Sequence, residues 1–103
     1  MGSFFGTNIG VDLGTANTLI SVDGKGIVLN EPSVIAKDTD RDVVLAVGQS
    51  AKDMLGKAPA HIRVVKPLEE GVISDFDMAA DMLATFFKQM MGQRGKIKAR
   101  VAR

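Results

Sequence analysis

Hydrophobic positions in the first third of the chain recur at every second residue. Residues 8–13 and 18–22 alternate, or nearly alternate, β-favouring apolar side chains with small ones, and Gly14-Thr15-Ala16-Asn17 lies between them. This pattern predicts a hairpin. Asp23-Gly24 then separates the second strand from residues 26–30, and Asp-Gly is a strong two-residue turn signal because both positions accept φ > 0. Three antiparallel strands therefore open the chain. Beyond Pro32, residues 33–37 and 43–47 read as two short strands around the polar loop 38–42. Residues 49–55 read as a short helix ended by Gly56, with Ala51, Met54 and Leu55 on one side. Pro59 and Pro67 bracket a further extended piece, residues 62–66.

The pattern changes period in the last third. Over residues 75–91, Met78, Ala79, Met82, Leu83, Phe86, Phe87, Met90 and Met91 share one broad helical face. Ser74 and Asp77 have the spacing of a capping box, Ile73 and Met78 that of a hydrophobic staple, and Gly92 supplies a stop. Four of the six methionines fall on this helix, and a methionine stripe at helical spacing reads as core packing rather than as a cofactor box. Val101-Ala102 is expected to begin another strand.

With 103 residues the chain can enclose one core, not two. A hydrophobic fraction of 46% with 24% charged residues describes a globular chain rather than a disordered one. There is no cysteine, so thiolate metal sites and disulfides are excluded, and the single histidine, His61, has no neighbouring ligand and is expected in a surface loop. A cytoplasmic setting fits, with no secretory leader and no run long enough to span a membrane. The net charge of +1 is unevenly distributed: residues 1–91 carry eight Lys and Arg against twelve Asp and Glu, while residues 92–103 carry five against none. A basic tail without Tyr or Trp, on a chain with five Phe, gives no footprint for nucleic acid.

The stretch that carries chemistry runs from Ile9 to Thr18, an apolar strand ending in Asp12 and entering a turn of small and hydroxyl-bearing residues. Gly14 and Ala16 leave the backbone amides open, so successive N–H groups can face one anion, and Thr15 and Asn17 add side-chain donors. Asp12 repels a phosphate but can hold Mg²⁺ beside one, through water. The same four residues also make an ordinary hairpin connection, and spacing alone leaves both readings open. Neither G-x-x-x-x-G-K-[ST] nor G-x-G-x-x-G occurs.

Asp12-Leu13-Gly14-Thr15, followed by Asn17-Thr18, resembles the first phosphate loop of the actin, heat-shock chaperone and sugar-kinase superfamily. Lys25 to Val34 and Gly71 to Asp77 are similar to the MreB family of bacterial actin homologues in particular, and the likeness runs at unbroken spacing over about residues 8–100. The resemblance implies an α/β fold: part of an actin-like, ribonuclease H-like first lobe in which antiparallel strands open the sheet, followed by a small inserted subdomain and an amphipathic helix. Residues 33–65 would be the small inserted subdomain, and the rest would belong to the large subdomain. It also implies ATP and Mg²⁺ as cofactors in the intact parent, with Asp12, Gly14, Thr15, Ala16 and Asn17 at the phosphates and Asp12 at the metal. Intact members are about three times longer, so this chain is expected to be truncated, to bind ATP weakly and not to hydrolyse it. No catalytic residue is assigned within it.

The implied function is that of a cytoskeletal protein whose filaments lie at the inner face of the cell membrane and guide cell-wall synthesis. An ATPase chaperone or sugar kinase of the same superfold, or a truncated product without nucleotide function, is the alternative. Expected partners are other protomers, the wall-synthesis machinery and an anionic membrane surface met through Phe4, Phe5, Arg94, Lys96, Ile97 and Lys98. The acidic cluster Asp38, Asp40, Asp42 lacks the glycine and closing glutamate of a calcium loop and reads as a solvated turn. Glu69 and Glu70 are expected to face solvent.

Overall fold

The computed structural model describes the backbone of residues 3–4, 7–70 and 72–101, and the side chains of residues 8–70 and 72–92. It is a mixed α/β fold. One antiparallel sheet has the order β1-β2-β3-β4, formed by β1 (Ser3–Phe4), β2 (Thr7–Leu13), β3 (Asn17–Val22) and β4 (Gly26–Pro32). The expected opening hairpin is therefore present. Its second connection is longer than the two-residue turn expected from Asp23-Gly24. Val22 pairs with Gly26, the Lys25 N–H bonds the Val22 carbonyl at 2.9 Å, and both Gly24 and Gly26 take positive φ.

A second antiparallel sheet, order β6-β5-β7, is built from β5 (Ile35–Asp38), β6 (Val43–Val47) and β7 (Ile62–Val65). Two buried clusters form instead of the single core expected from length, and the central strand shows why. Alternation along β5 sends Val34 and Ala36 to one face and Ile35 to the other. Val34 and Ala36 meet Ala51 of the short helix α1 (Gln49–Lys52), with Met54, Ile62 and Val64 closing that cluster. Ala36 and Ala51 are both fully buried, and their small size lets α1 lie close to the strand. The helix proper ends at Lys52, three residues short of expectation; a series of turns carries the chain to Gly56, which takes φ +76.

Ile35 faces the long helix α2 (Phe76–Val101). Met78, Met82, Phe86 and Met90 of α2 are buried against Ile20, Ile35, Val47 and Leu68, so the methionine stripe is core, as its spacing predicts. A fully buried phenylalanine or methionine contributes about 1.5–3 kcal/mol relative to exposure. The helix therefore joins both sheets. The flanking apolar positions are not all covered: Phe76 is 73% and Met91 46% exposed. A small ribbon of β8 (Leu68–Glu69) and β9 (Val72–Ile73) precedes it.

Both ends of α2 differ from expectation. The N-cap is Asp75, whose Oδ1 accepts the Met78 N–H at 3.1 Å, and not Ser74, whose hydroxyl donates to the Pro67 carbonyl at 3.1 Å. A carboxylate one residue nearer the helix meets the free amide, and the Pro67 carbonyl engages the serine. Ile73 is 39% exposed, so it does not serve as a buried staple. At the other end the helix continues through Gly92 to Val101. Gly92 is not among the glycines with positive φ, so it costs only about 1 kcal/mol relative to alanine, and Gln93, Arg94, Lys96, Lys98, Ala99 and Arg100 are good helix formers. Their cations also suit the negative end of the helix dipole. The stop expected at Gly92 and the strand expected at Val101 are thus replaced by helix. Among the described residues, no helix is long and apolar enough to cross a membrane.

Candidate functional site

The turn between β2 and β3 is closed by its own backbone and braced by Ser33. The Gly14 N–H donates to the Asn17 carbonyl at 3.1 Å, and a Cβ at position 14 would stand 2.7 Å from that carbonyl oxygen. Glycine is therefore required at the closure itself. Ser33, just past β4, does the bracing: its hydroxyl donates to the Gly14 carbonyl at 2.7 Å, and its N–H donates to the Ala16 carbonyl at 3.0 Å. The same hydroxyl shares a 2.8 Å hydrogen bond with Thr18 Oγ1. Thr18 and Ser33 are both fully buried, and among the described residues no buried side-chain polar atom lacks a partner. Asn17 Nδ2 donates to Asn30 Oδ1 at 3.0 Å, which ties the far side of the turn to β4. One of the two amide protons assigned to a ligand is thus engaged within the protein.

Beside the turn lies a cavity of about 270 Å³ lined by Thr15, Ala16, Asn17, Ser33, Lys52 and Lys66 together with Pro32 and Val34. The structure thus brings three of the five expected phosphate-site residues to one cavity. Gly14, the closure, and Asp12 do not line the cavity. Asp12 is exposed and stands opposite Leu19 on β2, on the sheet face away from the buried Ile20. Among the described residues no group of three His, Asp or Glu side chains could hold a metal ion. Asp12 suits Mg²⁺ only if phosphate oxygens and water complete the metal's shell. The cavity wall, with hydroxyl, amide and ammonium groups and no carboxylate, suits an anion.

Ser33, Lys52 and Lys66 were not legible as site residues. Nothing local marks them: Lys52 is the last residue of a helical turn and Lys66 follows β7, and only folding of the second sheet brings both to the turn. The other candidates are simpler. His61 is exposed, and its carbonyl accepts the Thr39 N–H at 3.0 Å. Asp38 Oδ1 accepts the N–H groups of Asp40 and Arg41 at 3.0 and 3.1 Å, and Asp42 pairs with Lys37 at 2.9 Å, so this acidic turn is held internally. Glu69 and Glu70 are exposed. Phe5 lies outside the described residues, as do the side chains of Phe4, Arg94, Lys96, Ile97 and Lys98.

The antiparallel strand-turn-strand, the second sheet placed after β4 and the helix packed across both define an actin-like protein. The sequence model of the MreB/Mbl protein family matches residues 6–102, and the chain belongs to that family. Cell shape-determining protein Mbl of Bacillus subtilis (strain 168) is 52% identical over 86 residues, 84% of this chain and 26% of that protein. Cell shape-determining protein MreB of Escherichia coli (strain K12) is 51% identical over 90 residues, with the same two shares. The crystal structure of MreB5 of Spiroplasma citri bound to ADP matches with a TM-score of 0.73 at 44% identity, covering 84% of this chain and 26% of that one. The AMPPNP-bound crystal structure gives the same TM-score at 45% identity, covering 82% and 25%. The chain thus spans about a quarter of the length of these relatives.

Proposed function

We propose that this chain is the phosphate-binding portion of an actin-like cytoskeletal protein that binds ATP with Mg²⁺, assembles into filaments at the inner face of the cell membrane and maintains cell shape by guiding wall synthesis. The observation that carries this reading is the braced turn facing an anion-suited cavity, in a chain about half identical to cell shape-determining proteins. Nucleotide-bound relatives of the same fold support it. A chaperone or sugar kinase would share the turn, but the family match over residues 6–102 favours the cytoskeletal class. In this reading residues 33–65 form the small subdomain and the remainder belongs to the large one.

The turn holds phosphate oxygens through Thr15, Ala16 and Asn17, with Gly14 fixing the backbone. Asp12 would orient Mg²⁺ through water, and the metal neutralises phosphate charge when bound. Hydrolysis needs further groups that polarise the attacking water and clamp the far phosphate, and these are assigned to the rest of the longer protein. Cations of the C-terminal part of α2, together with Phe4 and Phe5, would meet an anionic leaflet, each Lys or Arg contributing about 1 kcal/mol before screening.

The test is to graft this chain in place of the matching region of Escherichia coli MreB in cells depleted of their own copy. Restored rod shape is expected, lost with Asp12→Ala and weakened with Asn17→Ala. Round cells from a graft that is expressed and soluble would overturn the reading. For the membrane part, the graft should sediment with anionic but not neutral vesicles and be released when Lys96 and Lys98 become Glu; equal recovery in all supernatants would sink it.

A further inference from the structure

We propose that Lys52 and Lys66 are the cationic wall of the cavity beside the turn and hold the terminal phosphate of a polyphosphate ligand. This rests on the reading of the turn as a phosphate loop and adds to it the two residues that supply charge. The turn itself brings no cation: Thr15, Ala16 and Asn17 offer only neutral donors. A neutral cradle holds a phosphate by hydrogen bonds alone, whereas charge-assisted contacts are roughly twice as strong.

The two lysines arrive from separate places in the chain. Lys52 ends α1, Lys66 follows β7, and both line the cavity formed with Thr15, Asn17 and Ser33. Elsewhere in the fold, cations near acidic groups are paired: Lys37 with Asp42 and Asp81 at 2.9 and 2.7 Å, and Arg63 with Asp75 at 3.9 Å. Lys52 and Lys66 have no carboxylate partner among the described residues, and no carboxylate lines their cavity. Both lysines are exposed and border the same cavity, so an anion bound there would meet two positive charges. Because each is a point charge on a flexible stem, they follow ligand charge rather than shape. Affinity should therefore rise from orthophosphate to pyrophosphate to tripolyphosphate, which makes the pair a reader of how many phosphates are present.

The experiment is an amide and lysine side-chain NMR titration of the full 103-residue chain, without metal, using the three phosphates and sulfate at matched ionic strength. Saturable shifts at Thr15, Ala16, Asn17, Lys52 and Lys66 are expected, strongest with tripolyphosphate. Lys52→Gln with Lys66→Gln should weaken tripolyphosphate by about tenfold and remove the gradation, a loss of about 1.4 kcal/mol. The paired Arg variants should retain it. A control with Lys25→Gln and Lys57→Gln should bind like the parent; an equal loss there would reduce the effect to general charge and overturn the proposal. Turn amides that shift while the Gln variants bind normally would overturn the lysine assignment and leave the phosphate loop standing. Shifts at neither turn nor lysines would remove both.

Discussion

Two polar connections in this chain differ both in composition and in how their groups are engaged. The turn at Asp38–Asp42 carries three carboxylates, yet two of them are engaged: Asp38 by the amides of Asp40 and Arg41, Asp42 by Lys37. The turn at Gly14–Asn17 carries no charge, but Ser33 holds its backbone, and it borders a cavity with two lysines. The density of chemical groups does not make a site. A cavity suited to a ligand arises here where the backbone is held in place while neighbouring side chains line the space beside it.

This contrast can be broken most severely at Gly14. Gly14→Val would force the hairpin closure apart, since a Cβ would lie 2.7 Å from the Asn17 carbonyl oxygen. A loss of about 3 kcal/mol, the upper range for overpacking, is expected in urea denaturation. Ser33→Ala comes next. It strips the Gly14 carbonyl and the buried Thr18 hydroxyl of a partner, for about 1–3 kcal/mol, and loosens the turn that faces the cavity. Thr18→Val combined with Ser33→Ala should cost less than the sum of the single changes, because the stranded hydroxyl is gone; strict additivity would mean the bracing is not a network.

Asp38→Ala should cost about 1 kcal/mol, the usual value of a lost local cap, without altering phosphate binding. Any change in phosphate affinity would join the two turns functionally. The smallest effect concerns Lys37. Its hydrogen bond to Asp81, then that to Asp42, raises its pKa above the ordinary lysine value. A raised pKa in the folded state means that the pairing contributes fully below the unfolded value of about 10.4 and is lost as pH rises through the folded one. The stability gap between the parent and Lys37→Met should be flat from neutral pH upward and narrow only in strong alkali. A gap that widened there would refute the pairing.

Legibility followed the range of the forces involved. Strand alternation, the hairpin and the core face of α2 depend on neighbours in sequence, so residues 8–22 and the Met78–Met82–Phe86–Met90 stripe could be read directly. The helix boundaries were less legible because alternatives competed within a few kcal/mol. Asp75 outcompeted Ser74 for the cap once Pro67 offered Ser74 a carbonyl, and one glycine could not stop a helix continued by good formers.

The sequence by itself determined the make-up of the turn between β2 and β3, because a glycine at the closure and small or hydroxyl-bearing neighbours are properties of consecutive residues. What only the tertiary structure decided was the face that turn presents and the charge set before it. Ser33 reaches back across 19 positions to Gly14, and the second sheet carries Lys52 and Lys66 to the same cavity. Asp12, three residues from Thr15 in sequence, does not line that cavity, and strand alternation puts it on the face of the sheet away from the buried Ile20. Local pattern sets what each side chain can do, and the packing of β5 between α1 and α2 sets which of them meet.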